Sequence, residues 1–383
     1  MNCIITPGHG IITDSLIMHG IIKVYGNKIS RVIRVGEKFV ICGDFNTPNT
    51  SFIELMKEEL ELAINKTDDK TEINKDIVSS SEYLSKIRDA NINKSVLPIW
   101  FNSFLDSINV LEEKKEDLSK IYDFKHKEEN KEGRKSTKNK RRSTKNKTVY
   151  LPLGYIYGKY WVNNKKVEDV SYQVCNHCFA FSNIGLQSGV ILINTIVKKE
   201  NTTDETKTFI SLIPDSEISG TDALLLQRFT EGKTITIYDT EMTIPASLLY
   251  SLSIGETLYS FNTNISVLVW RLKLSNQFQR ALQPLILNIN TILDKIALIK
   301  ATYPYFTKLL EYFISNKDES NKDGMVIMTE LARYLIYSTE DVYKVIRDIS
   351  MFVSKNNLDV GSVKDLAEVL LSFQYSKEFY RGQ

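Results

Sequence analysis

From Gln277 to the end of the chain the apolar residues recur at helical spacing, and no earlier stretch keeps that period for so long. Leu285, Ile289, Ile292, Leu293, Ile296 and Ile299 make one stripe. Leu309, Leu310, Phe313 and Ile314 make a second, with Pro304 placed for a first turn. Ser338 and Asp341 can cap a third helix, in which Val342, Val345, Ile346, Ile349, Phe352 and Val353 fall on one face. Leu366, Val369, Leu370 and Phe373 repeat the pattern, so the last third, 276–383, reads as a helical bundle.

The remainder has a different texture. Ile29, Val32, Ile33, Val35, Phe39, Val40 and Ile41 sit in short runs split by Gly26-Asn27 and Gly36-Glu37, which predicts a small meander. A short helix with Leu16, Ile17 and Ile21, opened by Thr13-Asp14, precedes it, and an amphipathic helix of about four turns starts at Ser51. Residues 66–95 are polar and weakly patterned, and an aromatic patch from Val96 to Leu111 is apolar enough to dock on a core. Leu151 to Trp161 reads as a strand turned by Asn163-Asn164. Gly189–Val197 and Thr206–Ile213 read as a hairpin with a polar tip, joined by strands at Thr234–Tyr238 and Val267–Leu274. The expected class is α+β, with a β-rich N-terminal and middle region and a C-terminal α-helical bundle. A length of 383 residues and 42% hydrophobic content suit two or three folded domains.

Charge is concentrated in one place. Residues 125–147 contain eleven Lys or Arg against three Glu, a net +8, while the whole chain sums to +2, so everything else is net negative. The pentamer Ser-Thr-Lys-Asn-Lys occurs twice there, at 136–140 and 143–147. With almost nothing apolar to bury, this segment is expected at the surface, either as a solvated linker or as a tether for phosphate backbones. It separates an N-terminal α+β domain, 1–124, from a β-rich middle domain, 150–275, the loop itself being 125–149. In strand 150–161, alternation sends Tyr155, Tyr157 and Trp161 to one face and Ile156 and Tyr160 to the other. Core packing or base stacking would both use such aromatics.

Candidates for chemistry are few. Cys175-Asn176-His177-Cys178 has the spacing of a zinc knuckle, half of a tetrahedral site, and a structural zinc on Cys175 and Cys178 is the one cofactor the sequence offers. Buried free thiols, or more remotely a redox dithiol, are the other readings of this motif. Cys3 and Cys42 stand alone, and four cysteines are too sparse for a disulfide framework, which suits a reducing interior. His9, Asp14 and His19 could be the first shell of a metal-dependent nuclease or hydrolase. On a helix, however, Asp14 and His19 would diverge by roughly 140°. Phosphate-binding loops and nucleophile elbows do not occur, so no enzyme is expected. No signal sequence or membrane span is legible, and a cytoplasmic protein is expected. A helical scaffold that binds only partner proteins is the remaining alternative.

Four segments carry a resemblance to a known family: Thr6-Pro7-Gly8-His9-Gly10, Thr13-Asp14-Ser15-Leu16-Ile17-Met18-His19-Gly20-Ile21, the Tyr150–Trp161 strand, and Cys175-Asn176-His177-Cys178-Phe179-Ala180. With the helical C-terminal third, the chain resembles the large subunit of the archaeal type I-A CRISPR interference complex, a Cascade-like effector of the Csa family. The resemblance implies a non-catalytic subunit of a guide-RNA surveillance assembly in antiviral defence. Such a subunit helps recognise the protospacer-adjacent motif and manages double-stranded and opened target DNA beside the backbone and small subunits. Arg134, Lys135, Lys138, Lys140, Arg141, Arg142, Lys145 and Lys147 would then grip phosphates. Asn163, Asn164, Lys165 and Lys166, at a predicted hairpin tip, are the candidates for reading the motif. The lone CxxC departs from a full zinc ribbon, which puts metal binding there in doubt.

Overall fold

The computed structural model describes residues 2–66, 71–91, 96–113, 147–149, 152–154, 158–162, 165–170, 172–199, 202–254, 264–275, 278–315 and 321–381. The chain forms two compact units, Met1–Val190 with Ser211–Gly232 and Ile191–Ile210 with Lys233–Gln383. The class is α+β as expected, with sheets in the N-terminal and middle regions and helices at the C-terminus.

The first unit opens with β1 (Asn2–Ile5), α1 (Ile11–Tyr25), β2 (Ile29–Val35) and β3 (Lys38–Gly43). Next come α2 (Thr50–Ala63), β4 (Ile64–Lys66), β5 (Thr71–Ile73), α3 (Lys75–Ser80), α4 (Glu82–Ala90) and α5 (Leu97–Glu113). Then follow β6 (Lys147–Thr148), β7 (Gly158–Val162), β8 (Lys165–Val170), β9 (Gln173–Val174) and α6 (Asn176–Ser188). After β10 (Val190–Lys199) and β11 (Thr202–Pro214), the chain returns through β12 (Glu217–Ser219) and α7 (Gly220–Thr230). The predicted meander is the β2–β3 hairpin, turned at Gly36 with φ +64°, where glycine carries no Cβ penalty. It lies inside a four-stranded sheet of order β1-β3-β2-β12. The four-turn amphipathic helix is α2, whose Asn49 side chain accepts from the Phe52 N–H at 3.3 Å.

Two expectations for this unit are corrected. Cys3 and Cys42 do not stand alone: the antiparallel register of β1 and β3 places them directly opposite and they form a disulfide. Their separation of 39 residues is a product of the sheet, which spacing in sequence could not show. Cysteine usage therefore gives no argument for a reducing compartment. The short helix near Leu16 is a 15-residue helix, α1, with fourteen residues buried. Apolar residues on every side hide a single stripe, and a helix of that kind belongs in a core rather than on a surface.

The partner of α1 is α6, with twelve of thirteen residues buried. Their approach is backbone to backbone. A Cβ on Gly20 would lie 2.6 Å from the carbonyl carbon of Phe181, and one on Gly185 would lie 2.6 Å from that of Leu16, with the oxygens closer still.

The second unit adds β13 (Thr234–Tyr238), α8 (Ile244–Ser253), β14 (Ile265–Ser275) and β15 (Phe278–Asn288). The helices α9 (Asn290–Thr302), α10 (Phe306–Ile314), α11 (Asn321–Tyr337), α12 (Val342–Lys355) and α13 (Val363–Arg381) complete the chain. A five-stranded sheet runs β13-β10-β11-β14-β15, and β13 pairs with β10 in parallel, Leu192 opposite Thr234. Phe209 and Trp270 stack on it with ring centroids 5.2 Å apart. The onset of helix is corrected from Gln277 to Asn290. Leu285 belongs to β15 and pairs with Val269 of β14. Pro284 is the residue that decides it, because proline breaks a helix interior but is tolerated on an edge strand, which β15 is. Farther on, Asp341 caps α12 by accepting from the Tyr343 N–H at 3.0 Å. Pro304 stands in the turn before α10 rather than in its first turn.

Candidate functional site

The segments that the family resemblance rests on lie far apart in sequence, and several converge at one end of the α1–α6 pair. The loop Thr6–Gly10 folds back over the start of α1 because the Asp14 carboxylate gathers its donors. The Thr6 hydroxyl donates to Asp14 at 3.2 Å, the Gly8 N–H at 2.8 Å and the His9 N–H at 3.1 Å. Thr6 Oγ1 in turn accepts from the Phe39 N–H of β3 at 2.9 Å. Burial pushes the Asp14 carboxyl up to about 6 against the pull of those hydrogen bonds. His9 Nδ1 lies 2.6 Å from the Tyr172 hydroxyl, the rings meeting edge-on, and the Thr13 hydroxyl donates to the Leu153 carbonyl at 2.7 Å. The N-terminal loop is thereby tied to the segments that flank β7 and β8.

His19 goes elsewhere. It is fully buried, its Nε2–H donates to the Leu212 carbonyl at 2.9 Å, and Gly189 leaves room for its ring. Burial lowers its pKa to about 4, so it is neutral at pH 7. His9, Asp14 and His19 thus face Tyr172, the loop amides and Leu212 respectively, and do not make a common first shell. Among the described residues no three His, Cys, Asp or Glu side chains come together as a metal site.

The Cys175–Cys178 motif opens a helix. Cys175 is the N-cap of α6 and its sulfur accepts from the Cys178 N–H at 3.5 Å. The two sulfurs are 3.4 Å apart, with Cys178 fully buried and Cys175 partly exposed. A hydrogen bond from the Cys178 thiol, then the neighbouring His177, bring Cys175 down to about 4. Burial, then the Cys175 sulfur, then the Asp14 carboxylate push Cys178 well up. The two cysteines are therefore unlike: the hydrogen bond and His177 favour the charged form of Cys175, and burial favours the protonated form of Cys178.

Of the residues nominated to contact DNA, Arg134, Lys135, Lys138, Lys140, Arg141, Arg142 and Lys145 lie outside the described residues, as do Asn163 and Asn164. Lys147 is the one described residue of the basic tract. As the last residue of that tract it opens β6, pairs with Val174 of β9, and its ammonium donates to Asp106 of α5 at 2.6 Å. Asp106 is a partner that sequence reading missed, since nothing in the spacing links positions 41 residues apart. Lys165 and Lys166 begin β8, opposite Val162 and Trp161 of β7 in an antiparallel pair. Tyr155, Ile156 and Tyr157 lie outside the described residues.

A second residue that sequence reading missed is Lys86 of α4. It is 2% exposed, and its ammonium donates to the carbonyls of Gln187 at 3.0 Å, Thr230 at 3.4 Å and Val190. Gln187 and Thr230 belong to the last turns of α6 and α7, where carbonyls lack helical partners and the helix dipoles favour a cation.

Compared with known proteins, residues 2–372 match the family model of the CRISPR-associated protein (Cas_Csa4). A protein of Thermoproteus tenax described as "CRISPR system associated protein Cas8" is 29% identical over 375 residues, spanning 96% of this chain and 97% of its own. The family match runs through the loop at Thr6–Gly10, the helix pair and the C-terminal helices as far as residue 372.

Proposed function

Since the chain belongs to the CRISPR-associated Cas_Csa4 family, we propose that it is the non-catalytic large subunit of a type I-A guide-RNA surveillance complex. In that role it contributes to protospacer-adjacent-motif recognition and to binding of target DNA in antiviral defence. The observation that carries the reading is the end-to-end family match, in a chain whose positive charge is gathered into 125–147. Guide RNA pairing supplies sequence specificity, and the protein supplies motif reading and backbone contacts to duplex and opened strands. Arg134, Lys135, Lys138, Lys140, Arg141, Arg142 and Lys145 track phosphates. Lys147 anchors the tract through Asp106, in addition to any contact with DNA. Asn163, Asn164, Lys165 and Lys166 at the β7–β8 tip face the motif. Its partners are the backbone and small subunits and the guide ribonucleoprotein, in the cytoplasm. No helix among the described residues is long and apolar enough to cross a membrane. The non-catalytic assignment is supported by the groups a hydrolase would use: Asp14 holds a loop and His19 a backbone carbonyl.

The test is fluorescence anisotropy of the assembled complex on duplex and partly opened DNA across a salt series. It compares the natural chain with one in which all eight Lys and Arg of 134–147 are Ser. Each lost phosphate contact should flatten the slope of log K against log salt by about 0.9 for duplex, with similar losses for every sequence. An unchanged slope would reduce the tract to a linker, and cleavage by the chain alone would end the non-catalytic reading.

A further inference from the structure

The α6 thiols are not among the residues assigned above to nucleic acid, and they are arranged as a reacting pair. Cys175 stands at the N-terminus of a 13-residue helix, where the unpaired backbone N–H groups and the dipole favour a thiolate. His177 flanks it as a second stabilising group. Cys175 is partly open to solvent and Cys178 is sealed beneath it, an attacking sulfur over a resolving one. The sulfurs need to approach by only about 1.3 Å to reach the bonded distance of about 2.05 Å, and cysteines three apart across a helix start fall inside the separations a disulfide spans. Ring closure thus needs side-chain rotation and no backbone rearrangement.

We propose that Cys175 and Cys178 form a thiol–disulfide exchange site whose co-substrate is a low-molecular-weight disulfide, RS–SR. The Cys175 thiolate attacks one sulfur of RS–SR. A Cys175–S–S–R bond forms as the RS–SR bond breaks, and the departing RS⁻ takes a proton from solvent. Cys178 then gives up its proton to solvent, and its sulfur attacks that of Cys175, forming the internal disulfide and displacing the second RS⁻. Two protein thiols are oxidised and one disulfide becomes two thiols, so the reaction runs in reverse when thiol is in excess. The site lies directly after β9, the strand that pairs with Lys147. The proposal is independent of the DNA-binding reading and stands or fails without it.

The test uses the full chain in glutathione and glutathione disulfide mixtures spanning reduced to oxidised, quenched by alkylation and read by peptide mass spectrometry. The Cys3–Cys42 disulfide provides an internal reference. The expected result is a reversible two-electron transition confined to the peptide holding Cys175 and Cys178. Cys178→Ser should stop at a stable glutathione adduct on Cys175, and Cys175→Ser should give no adduct, because the buried sulfur is out of reach. In the natural chain, the rate of Cys175 alkylation by iodoacetamide should be nearly flat between pH 6 and 8, where an ordinary thiol gains close to tenfold per pH unit. A pair that stays reduced throughout the series overturns the proposal, as does an adduct that forms first on Cys178. A tightly bound zinc ion that protects both sulfurs until it is chelated also overturns it.

Discussion

The close crossing of α1 and α6 makes Gly20 and Gly185 the positions where one methyl group should cost most. At Gly185 an added Cβ would lie 2.6 Å from the Leu16 carbonyl carbon, against an ordinary carbon–carbon contact of about 3.5–4.0 Å. The helices would have to part by about 1 Å. The obstacle is backbone, which has no rotamer to change. Both helices are enclosed, so the displacement would pass into surrounding packing instead of solvent. Overpacking of a well-packed core costs about 1–3 kcal/mol and sometimes more, and a rigid obstacle belongs at the upper end. Against this, alanine gains about 1 kcal/mol over glycine in helix propensity. The net expectation for Gly185→Ala, and equally for Gly20→Ala, is a loss of about 2 kcal/mol. In a unit of about 200 residues that lowers Tm by roughly 4–8 °C.

The double variant is more informative than either single one. Both glycines serve one crossing, so a separation forced by the first methyl makes room for the second. The combined loss should fall short of the sum by at least about 1 kcal/mol. Urea unfolding followed by circular dichroism, with calorimetry for the transition of the first unit, measures all three. Leu62→Ala, at a 62% exposed position on α2, is the control and should stay within about 0.5 kcal/mol of the natural chain. If Gly185→Ala proved neutral, or stabilising by its propensity gain, the crossing would not be as close as described. If the two losses simply added, the glycines would not share it.

Replacing Lys86 by Met keeps the bulk but strips donors from three buried carbonyls, so a loss of about 2–3 kcal/mol is expected in the same unfolding assay, and a neutral result would mean that water can replace the ammonium. Asp14 and His19 should oppose one another in acid. Asp14 titrates near 6 in the fold and about 3.9 unfolded, so its contribution is fully present below about pH 4 and is lost as pH rises through 6. His19 titrates near 4 in the fold and about 6.5 unfolded, so its contribution is present above about 6.5 and is lost as pH falls through 4. Between pH 4 and 6 Asp14→Asn should therefore turn the stability slope upward, and His19→Gln downward, by about 1.4 kcal/mol per pH unit relative to the natural chain. Parallel curves for the three proteins would refute the assignment.

What the sequence revealed and what it hid follow from where water is. Elements with one wet face were legible: α2 and α12 show their stripes because charged residues fill the gaps, and the β2–β3 hairpin shows because Gly36 must turn it. Elements with no wet face lose the contrast on which periodicity depends. The spacing shows only part of α1, and it offers Cys175 and Cys178 as a zinc half-site or as buried thiols without showing the helix α6 they open, because each helix is buried almost all round. The same limit governed the candidate site. The cysteine spacing shows the pair, but the helix N-terminus that makes its two sulfurs unlike is supplied only by the fold. The Cys3–Cys42 bond, the Lys147–Asp106 ion pair and the Lys86 carbonyl cluster are each made by segments distant in sequence. His19 is the clearest case. A histidine five positions after an aspartate invites a metal, yet that spacing on a fully buried helix sends one side chain to the loop amides and the other to the Leu212 carbonyl. Burial on all sides, not ligand-type residues in proximity, determines what these groups do.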